Sequence, residues 1–512
     1  MPRTIEIDGR NLGPADAKAV LDGEDVTFTL SAAARARVEA SRTVVERALA
    51  EGRTIYGVNT GFGKLADTRI PADRLRDLQR NLLRSHACGV GAPLPPEEVA
   101  LALLFRANAL AVGCSGVRPM VIDTLLAMLD RGVRPVVPRK GSVGASGDLA
   151  PLAHLALPLI GEGEAEFGGR RLPGGEAMRR AGIEPLTLAA KEGLALVNGV
   201  QVSTAIGARA LAVSERLVKT ADLAAAMSLE ALLGTDTPFD PRIHAARPHP
   251  GQAVVAANVR RLLEGSGILP THRGPHKVQD AYSLRCVPQV HGAVRDSIGH
   301  AREVVYREVN SATDNPLVFA EDGAVLSGGN FHGEPVAIAM DLAALAIHEI
   351  GSISERRIES IVNPALSSGL PPFLAREGGL ESGYMMAQVT AAALVCETRT
   401  LCVPAAAESI PTSANQEDHV SLSPLAARKA AEIAGNVATV LAIELLAAAR
   451  GLDFRMPLRP GKGVAAAYDF LRDRVPRCEV DTPLAPAIET LREIVLGPDL
   501  LAAVETAAGP LD

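Results

Sequence analysis

The sequence predicts a mainly α-helical protein: an N-terminal mixed region, then a bundle of long antiparallel helices. Three observations carry that expectation. Apolar residues make up 47% of the 512-residue chain, mostly Ala, Leu and Val, with 3% aromatics and no Trp; Ala and Leu favour helix. Apolar residues recur at helical spacing over four long runs, residues 200–234, 334–362, 382–402 and 423–450. A Pro- and Gly-rich stretch, RPVVPRKGSVGASGDLAP at 134–151, interrupts the helical pattern of the N-terminal part.

The elements follow in order. RTIEID and VTFTL alternate enough to be short strands. Residues 31–52 have helical periodicity with Ser31 as N-cap, and residues 96–113 are similar. EAEFGGRRL reads as a hairpin turning at Gly168-Gly169. The four long runs have Ala-rich faces, which want antiparallel partners at close range. So many such faces suit subunit packing as well as an internal core. The expected division is 1–200, a region of short strands and helices carrying the 141–154 loop, and 201–512, a long-helix bundle forming core and subunit interface.

The totals exclude several function classes. Net charge is −7 and no Lys/Arg-rich block occurs, so no nucleic-acid partner is expected. The start, MPRTIEIDGR, has no apolar core of a secretory signal. The most apolar stretch, 434–450, is shorter than the roughly 20 residues of a membrane span and contains Glu444; it reads as a buried helix, with no membrane partner. Six scattered cysteines form no CxxC, which suggests reduced thiols and a cytoplasmic location. His272 and His276 have a ligand-like spacing, but Pro275 between them argues against a shared helix face. No HExxH occurs and no third ligand stands out, so no metal is expected.

The loop at 141–154, GSVGASGDLAPLAH, carries the chemistry. With small residues at Ala145, Ser146 and Gly147, a tight turn lets the Gly147 amide nitrogen reach the Ala145 carbonyl carbon. Gly at the attacking position tolerates the dihedrals this needs. Closure gives a five-membered ring. Loss of water from the ring, and of the Ser146 hydroxyl as a second water, leaves a methylidene group conjugated to an imidazolone. That electrophile would need no external cofactor. The bare tripeptide is common and by itself points to nothing more than an ordinary loop. The fourteen-residue string is more specific: it closely resembles the signature loop of the histidine and aromatic amino-acid ammonia-lyase family, in which a 4-methylidene-imidazol-5-one forms from Ala-Ser-Gly.

The resemblance extends from about residue 27 to 450 and implies an ammonia-lyase/fumarase-like helical fold. TIYGVNTGFGKLADTRI resembles the family's mobile loop and offers Tyr56; NLLRSHACGVG offers His86; KEGLALVNGVQVS offers Asn198. HKVQDAYSLRCVPQVHG offers Gln279, Tyr282, Arg285 and Gln289; NSATDNPLVF offers Asn315; SGGNFHGEPVA offers Phe331; PTSANQEDHVS offers Gln416 and Glu417. Residue chemistry fits the implied roles. Expelling an amino group needs an electrophile on nitrogen and a base for the β-proton, here Tyr56, under a Gly-rich lid that excludes water. Arg285 suits the substrate carboxylate through a bidentate fork. Asn198 would donate to the imidazolone oxygen, as in an oxyanion hole. Tyr282 would place its hydroxyl near the amine, and Phe331 would pack against the ring.

Two segments favour histidine over phenylalanine or tyrosine as substrate. In RSHACGVG and NQEDHVS, Glu417 can accept from a substrate imidazole and His86 can bind its other nitrogen. The implied reaction is L-histidine to trans-urocanate and ammonia, in a homotetramer whose active sites mix subunits. Tyrosine or phenylalanine lyases and aminomutases of the same family are the neighbouring readings; a metal-dependent hydrolase or an inactive scaffold are the distant ones. Three positions depart from the histidine-type pattern: Glu381 where Asn is expected, Tyr384 where Phe is expected, and Gly333 where Ala is usual. The segment LCVPAAAESIPTS is also unusual. If Tyr384 faces the pocket, its hydroxyl bears on substrate choice.

Overall fold

The computed structural model describes residues 3–272 and 278–512. Helices dominate, and the described strands form small sheets of two or three members. Arg3–Ile7 and Val26–Leu30 pair in parallel, with the helix Pro14–Leu21 as the crossover. Ser31 caps the next helix, Ala32–Ala50: its Oγ accepts from the Ala34 amide at 3.0 Å, satisfying one of the unpaired donors at a helix start. The hairpin forms as expected, Glu164–Phe167 against Arg170–Pro173. Gly168 and Gly169 turn it at φ +58° and +72°, the paired positive φ that a tight hairpin turn demands.

Clustering of contacts divides the chain into two compact units. The first comprises Met1–Arg209, Arg302–Asp341 and Pro404–Arg428; the second comprises Ala210–Ala301, Leu342–Val403 and Lys429–Asp512. The sequence-based division is a single cut after residue 200, whereas each unit is assembled from three segments.

In the first unit the helix Pro96–Ala111 is apolar on nearly every side and is buried accordingly. Leu101, Leu103, Leu104 and Phe105 have no exposed surface. Three polar residues on it, Glu98, Arg106 and Asn108, are buried too, and each has a hydrogen-bond partner.

The four long runs form the helices Gln201–Ala231, Glu334–Val362, Met385–Leu401 and Ser423–Asp453. A fifth, Val287–Val309, was not anticipated from the sequence. Pro288 and two glycines disguise it. Pro288 lies in the first turn, where a missing N–H costs nothing. The stretch 434–450 is buried as expected, inside a helix much longer than the stretch itself. By length and composition alone, three described helices could cross a membrane, within Glu334–Val362, Met385–Ala407 and Ser423–Asp453. In the first and last, 72% of the most apolar window is buried inside the protein, so that apolarity serves a core. In the middle one only 22% is buried, and Met386 and Val389 are exposed.

Buried ion pairs in the second unit include Arg357–Glu444. Arg357 and Glu444 are fully buried and meet through two hydrogen bonds, Nε to Oε1 at 2.5 Å and Nη2 to Oε2 at 2.9 Å. Ser228 and Ser354 donate to the same carboxylate at 2.6 and 2.5 Å. Arg357 Nη1 also donates to the Ser283 carbonyl at 3.3 Å.

Candidate active site

The 141–154 loop is held by both backbone and side-chain bonds. Gly147 has φ +79° and forms a parallel bridge with Gly199. The Asp148 amide donates to the Gly199 carbonyl at 2.7 Å, and the Gly199 amide to the Ser146 carbonyl at 3.3 Å. A Cβ on Gly147 would lie 2.1 Å from the Gly199 oxygen. The loop therefore requires a residue without a side chain where a cyclising amide must be unhindered, so Ala145-Ser146-Gly147 fits a backbone-derived ring. On the far side, the Leu422 amide donates to the Val143 carbonyl at 2.8 Å and Ser421 Oγ to the Gly144 carbonyl at 3.1 Å.

Two serine hydroxyls also account for one departure from the family pattern. A Cβ on Gly333 would meet Ser423 Oγ at 2.4 Å and Ser421 Oγ at 2.9 Å. It would also meet Val200 Cγ1 at 2.9 Å, so an Ala at 333 fits only if these neighbours move.

Asp148, the acid that follows the tripeptide, has no exposed surface. It accepts from the Ser203 amide at 2.7 Å and Ser203 Oγ at 2.6 Å. Burial pushes its carboxyl up to about 6, against the lowering effect of those bonds.

Ser146 opens onto a cavity of about 1390 Å³ within the first unit. Tyr56, His86, Ala145, Asn198, Asn315, Phe331, Gln416 and Glu417 all line it, as the sequence predicts. Ser146 Oγ donates to Glu417 Oε1 at 3.2 Å, and Thr412 Oγ1 donates to Glu417 Oε2 at 2.9 Å. Tyr56 Oη accepts from the Gly63 amide at 3.2 Å. His86 ends the helix Leu75–His86. Burial lowers its imidazole pKa, while Glu417 acts in the opposite sense. Glu417 leaves a segment in which Ser413, Ala414 and Asn415 take φ values of +51°, +53° and +63°, a left-handed run without glycine.

Beneath the loop lies a charge cluster that sequence reasoning missed. Lys191 Nζ bonds Asp314 Oδ2 at 2.5 Å. Asn198 Nδ2 lies 3.2 Å from Asp314 Oδ1 and 3.2 Å from the Asn315 carbonyl. Arg106, fully buried, donates to the carbonyls of Ala195 and Asn198 at 3.0 and 2.9 Å and to Gln201 Oε1. Burial lowers its pKa to about 10. The available signal was charged residues inside otherwise apolar strings, KEGLALVNG and LLFRANAL. His332 and His419 also line the cavity, their rings stacked with centroids 5.9 Å apart.

Gln279, Tyr282 and Arg285 are not among the residues lining this cavity; they belong to the second unit. There Gln279, Arg285 and Gln289 line another cavity of about 1070 Å³. Tyr282 is 70% exposed, with the Arg285 guanidinium 4.7 Å from its ring centre. Tyr384 does not face the Ser146 cavity either. It is buried in the second unit near Arg450 and Arg472, and burial pushes its phenol up to about 12. Glu381 caps its own turn, accepting from the Arg376 amide at 2.9 Å. His272 Nε2 donates to the Gly234 carbonyl at 2.9 Å, whereas His276 lies outside the described residues. Among the described residues no cluster of three or more His, Cys, Asp or Glu could hold a metal.

Comparison with known proteins gives the same picture. The chain is 57% identical to the histidine ammonia-lyase of Anaeromyxobacter sp. (strain K) over 501 residues, covering 96% of this chain and 98% of that protein. It superposes on the crystal structure of histidine ammonia-lyase from Trypanosoma cruzi with a TM-score of 0.91 at 42% identity, covering 98% of this chain and 95% of the other. The tyrosine aminomutase of Streptomyces globisporus superposes with a TM-score of 0.94 at 37% identity, covering 99% of each chain. The family model for aromatic amino acid lyases matches residues 12–473, and the chain belongs to the aromatic amino acid lyase family.

Proposed function

We propose that this protein eliminates ammonia from L-histidine to give trans-urocanate. The observation that carries the reading is Ser146, in its glycine-pinned loop, opening onto one cavity with Tyr56, His86 and Glu417. The 4-methylidene-imidazol-5-one derived from Ala145, Ser146 and Gly147 would supply an electrophile toward the substrate amine. Tyr56 Oη takes the β-proton as the C–N bond breaks and the C–C double bond forms. Glu417 and His86 bind the imidazole, Glu417 as acceptor. Phe331, Asn315 and Gln416 complete the wall.

Arg285 holds the carboxylate, with Tyr282 and Gln279 beside it, and these three reach the cavity from another copy of the chain. The exposure of Tyr282 in the second unit and the exposed apolar residues of Met385–Leu401 support a homotetramer with shared sites. The six free thiols suit a cytoplasmic setting.

Incubation of purified protein with L-histidine, L-tyrosine and L-phenylalanine tests the proposal. Urocanate from histidine is expected, with little unsaturated acid from the other two. A β-amino acid product, or preference for tyrosine, would establish an aminomutase or an aromatic-type lyase instead. Intact mass should fall two waters below the translated value, and Ser146→Ala should restore it and abolish turnover.

A further inference from the structure

Glu417 stands at the foot of a small closed turn. Thr412 and Glu417 form an antiparallel bridge: the Thr412 amide donates to the Glu417 carbonyl at 2.8 Å, and the Glu417 amide to the Thr412 carbonyl at 3.3 Å. Between them the Gln416 amide donates to the Ser413 carbonyl at 3.1 Å. Residues opposite each other in an antiparallel bridge carry their side chains on one face, within reach of each other. Thr412 is extended, at φ −133° and ψ 177°, and a β-branched side chain has few rotamers to choose from. Its hydroxyl donates to Glu417 Oε2 at 2.9 Å. The other oxygen, Oε1, accepts from Ser146 Oγ at 3.2 Å.

These two donors have different fates. Ring formation removes the Ser146 hydroxyl as water, which releases Oε1 into the cavity. The Thr412 hydroxyl takes no part in that chemistry and stays on Oε2. Thr412 itself is half-buried and is not among the residues lining the cavity, so whatever it does for a ligand it does through Glu417. We infer that Thr412 is a positioning residue for imidazole recognition: its hydroxyl fixes the Glu417 carboxylate by Oε2, so that Oε1 is the oxygen presented to the N–H of the substrate ring. The inference rests on the histidine reading for the choice of ligand. It goes further in assigning part of the discrimination to a residue behind the cavity wall.

Titration calorimetry on the mature parent and on T412V tests this with two ligands that share an acrylate skeleton. One is trans-urocanate, which carries an imidazole; the other is trans-cinnamate, which carries a phenyl ring and no N–H. Valine keeps the β-branch and removes the hydroxyl. Urocanate affinity should fall by about tenfold, the order of one charge-assisted hydrogen bond, while cinnamate affinity changes by less than about twofold. Both proteins should weigh two waters less than their translated sequences, so that the comparison is between mature sites. Thr412→Ser returns the hydroxyl and should bring urocanate affinity back to within about threefold of the parent. In a Glu417→Ala background T412V should cost nothing further, because the two residues act as one unit. A T412V chain that keeps the parent's preference for urocanate, or that weakens both ligands equally, overturns the inference. If the valine variant does not fold, T412A gives the same contrast. A parent that holds cinnamate as tightly as urocanate overturns the histidine reading itself, and the inference falls with it.

Discussion

Gly147 and Gly199 meet backbone to backbone, so that a Cβ on Gly147 would stand 2.1 Å from the Gly199 carbonyl oxygen. No side-chain rearrangement relieves that contact. Gly147→Ala also forces an L-residue to φ +79°. The variant should lose about 2 kcal/mol or more of stability, from positive φ and the clash together, and should fail to shed two waters. Thermal melts and intact mass check both; a stable variant with the mature mass contradicts the packing described.

The pair Arg357–Glu444 gives a second prediction. Glu444→Gln leaves a buried guanidinium without its counter-charge, which should cost about 3–5 kcal/mol. Replacing both by Met and Leu should recover most of that loss, because two desolvated charges are removed together. Urea unfolding of the single and double variants measures the difference.

Glu230 predicts a pH dependence. It is buried and accepts from the Gly461 amide and Ser266 Oγ, and burial pushes its carboxyl up to about 7 from 4.5. Because the folded value is raised, the folded state holds a proton that the unfolded chain releases. Stability contributed by this group is therefore present below about pH 4.5 and lost as pH rises to about 7. Glu230→Gln should flatten that slope, gaining on the parent by about 2 kcal/mol between pH 5 and pH 8. Unfolding free energies at the two pH values decide it.

Burial lowers the His86 pKa and Glu417 opposes that effect, which gives a further prediction. Glu417→Gln removes the opposing charge, so the His86 pKa should move further down, as read by NMR titration. If Glu417 receives the substrate imidazole, KM for histidine should also rise by about tenfold or more, the order of a charged hydrogen bond.

Local signals were legible in the sequence where one residue decides local structure. Ser31 marked a helix start, Gly168-Gly169 a turn, and helical spacing the long runs. The helix Val287–Val309 was hidden because Pro288 reads as a breaker unless its place in the first turn is known. In the site, Ser146, Tyr56, His86, Asn198, Phe331 and Glu417 came from motif strings and do share a cavity. What stayed invisible was pairing across distance. Lys191 finds Asp314 123 residues away, and Arg106 finds Gln201 95 residues away. Spacing cannot report such partners. Gly333 looked like a departure in isolation; the hydroxyls of Ser421 and Ser423 give it a steric reason.

The three left-handed residues Ser413, Ala414 and Asn415 bear on how selectivity could drift. Each non-glycine residue in that region carries of the order of 1 kcal/mol of conformational energy, so the clasp presenting Glu417 is cocked rather than slack. A glycine at Ala414 would discharge it. The carboxylate could then wander, and the pocket would trade discrimination among side chains for tolerance without any wall residue having changed.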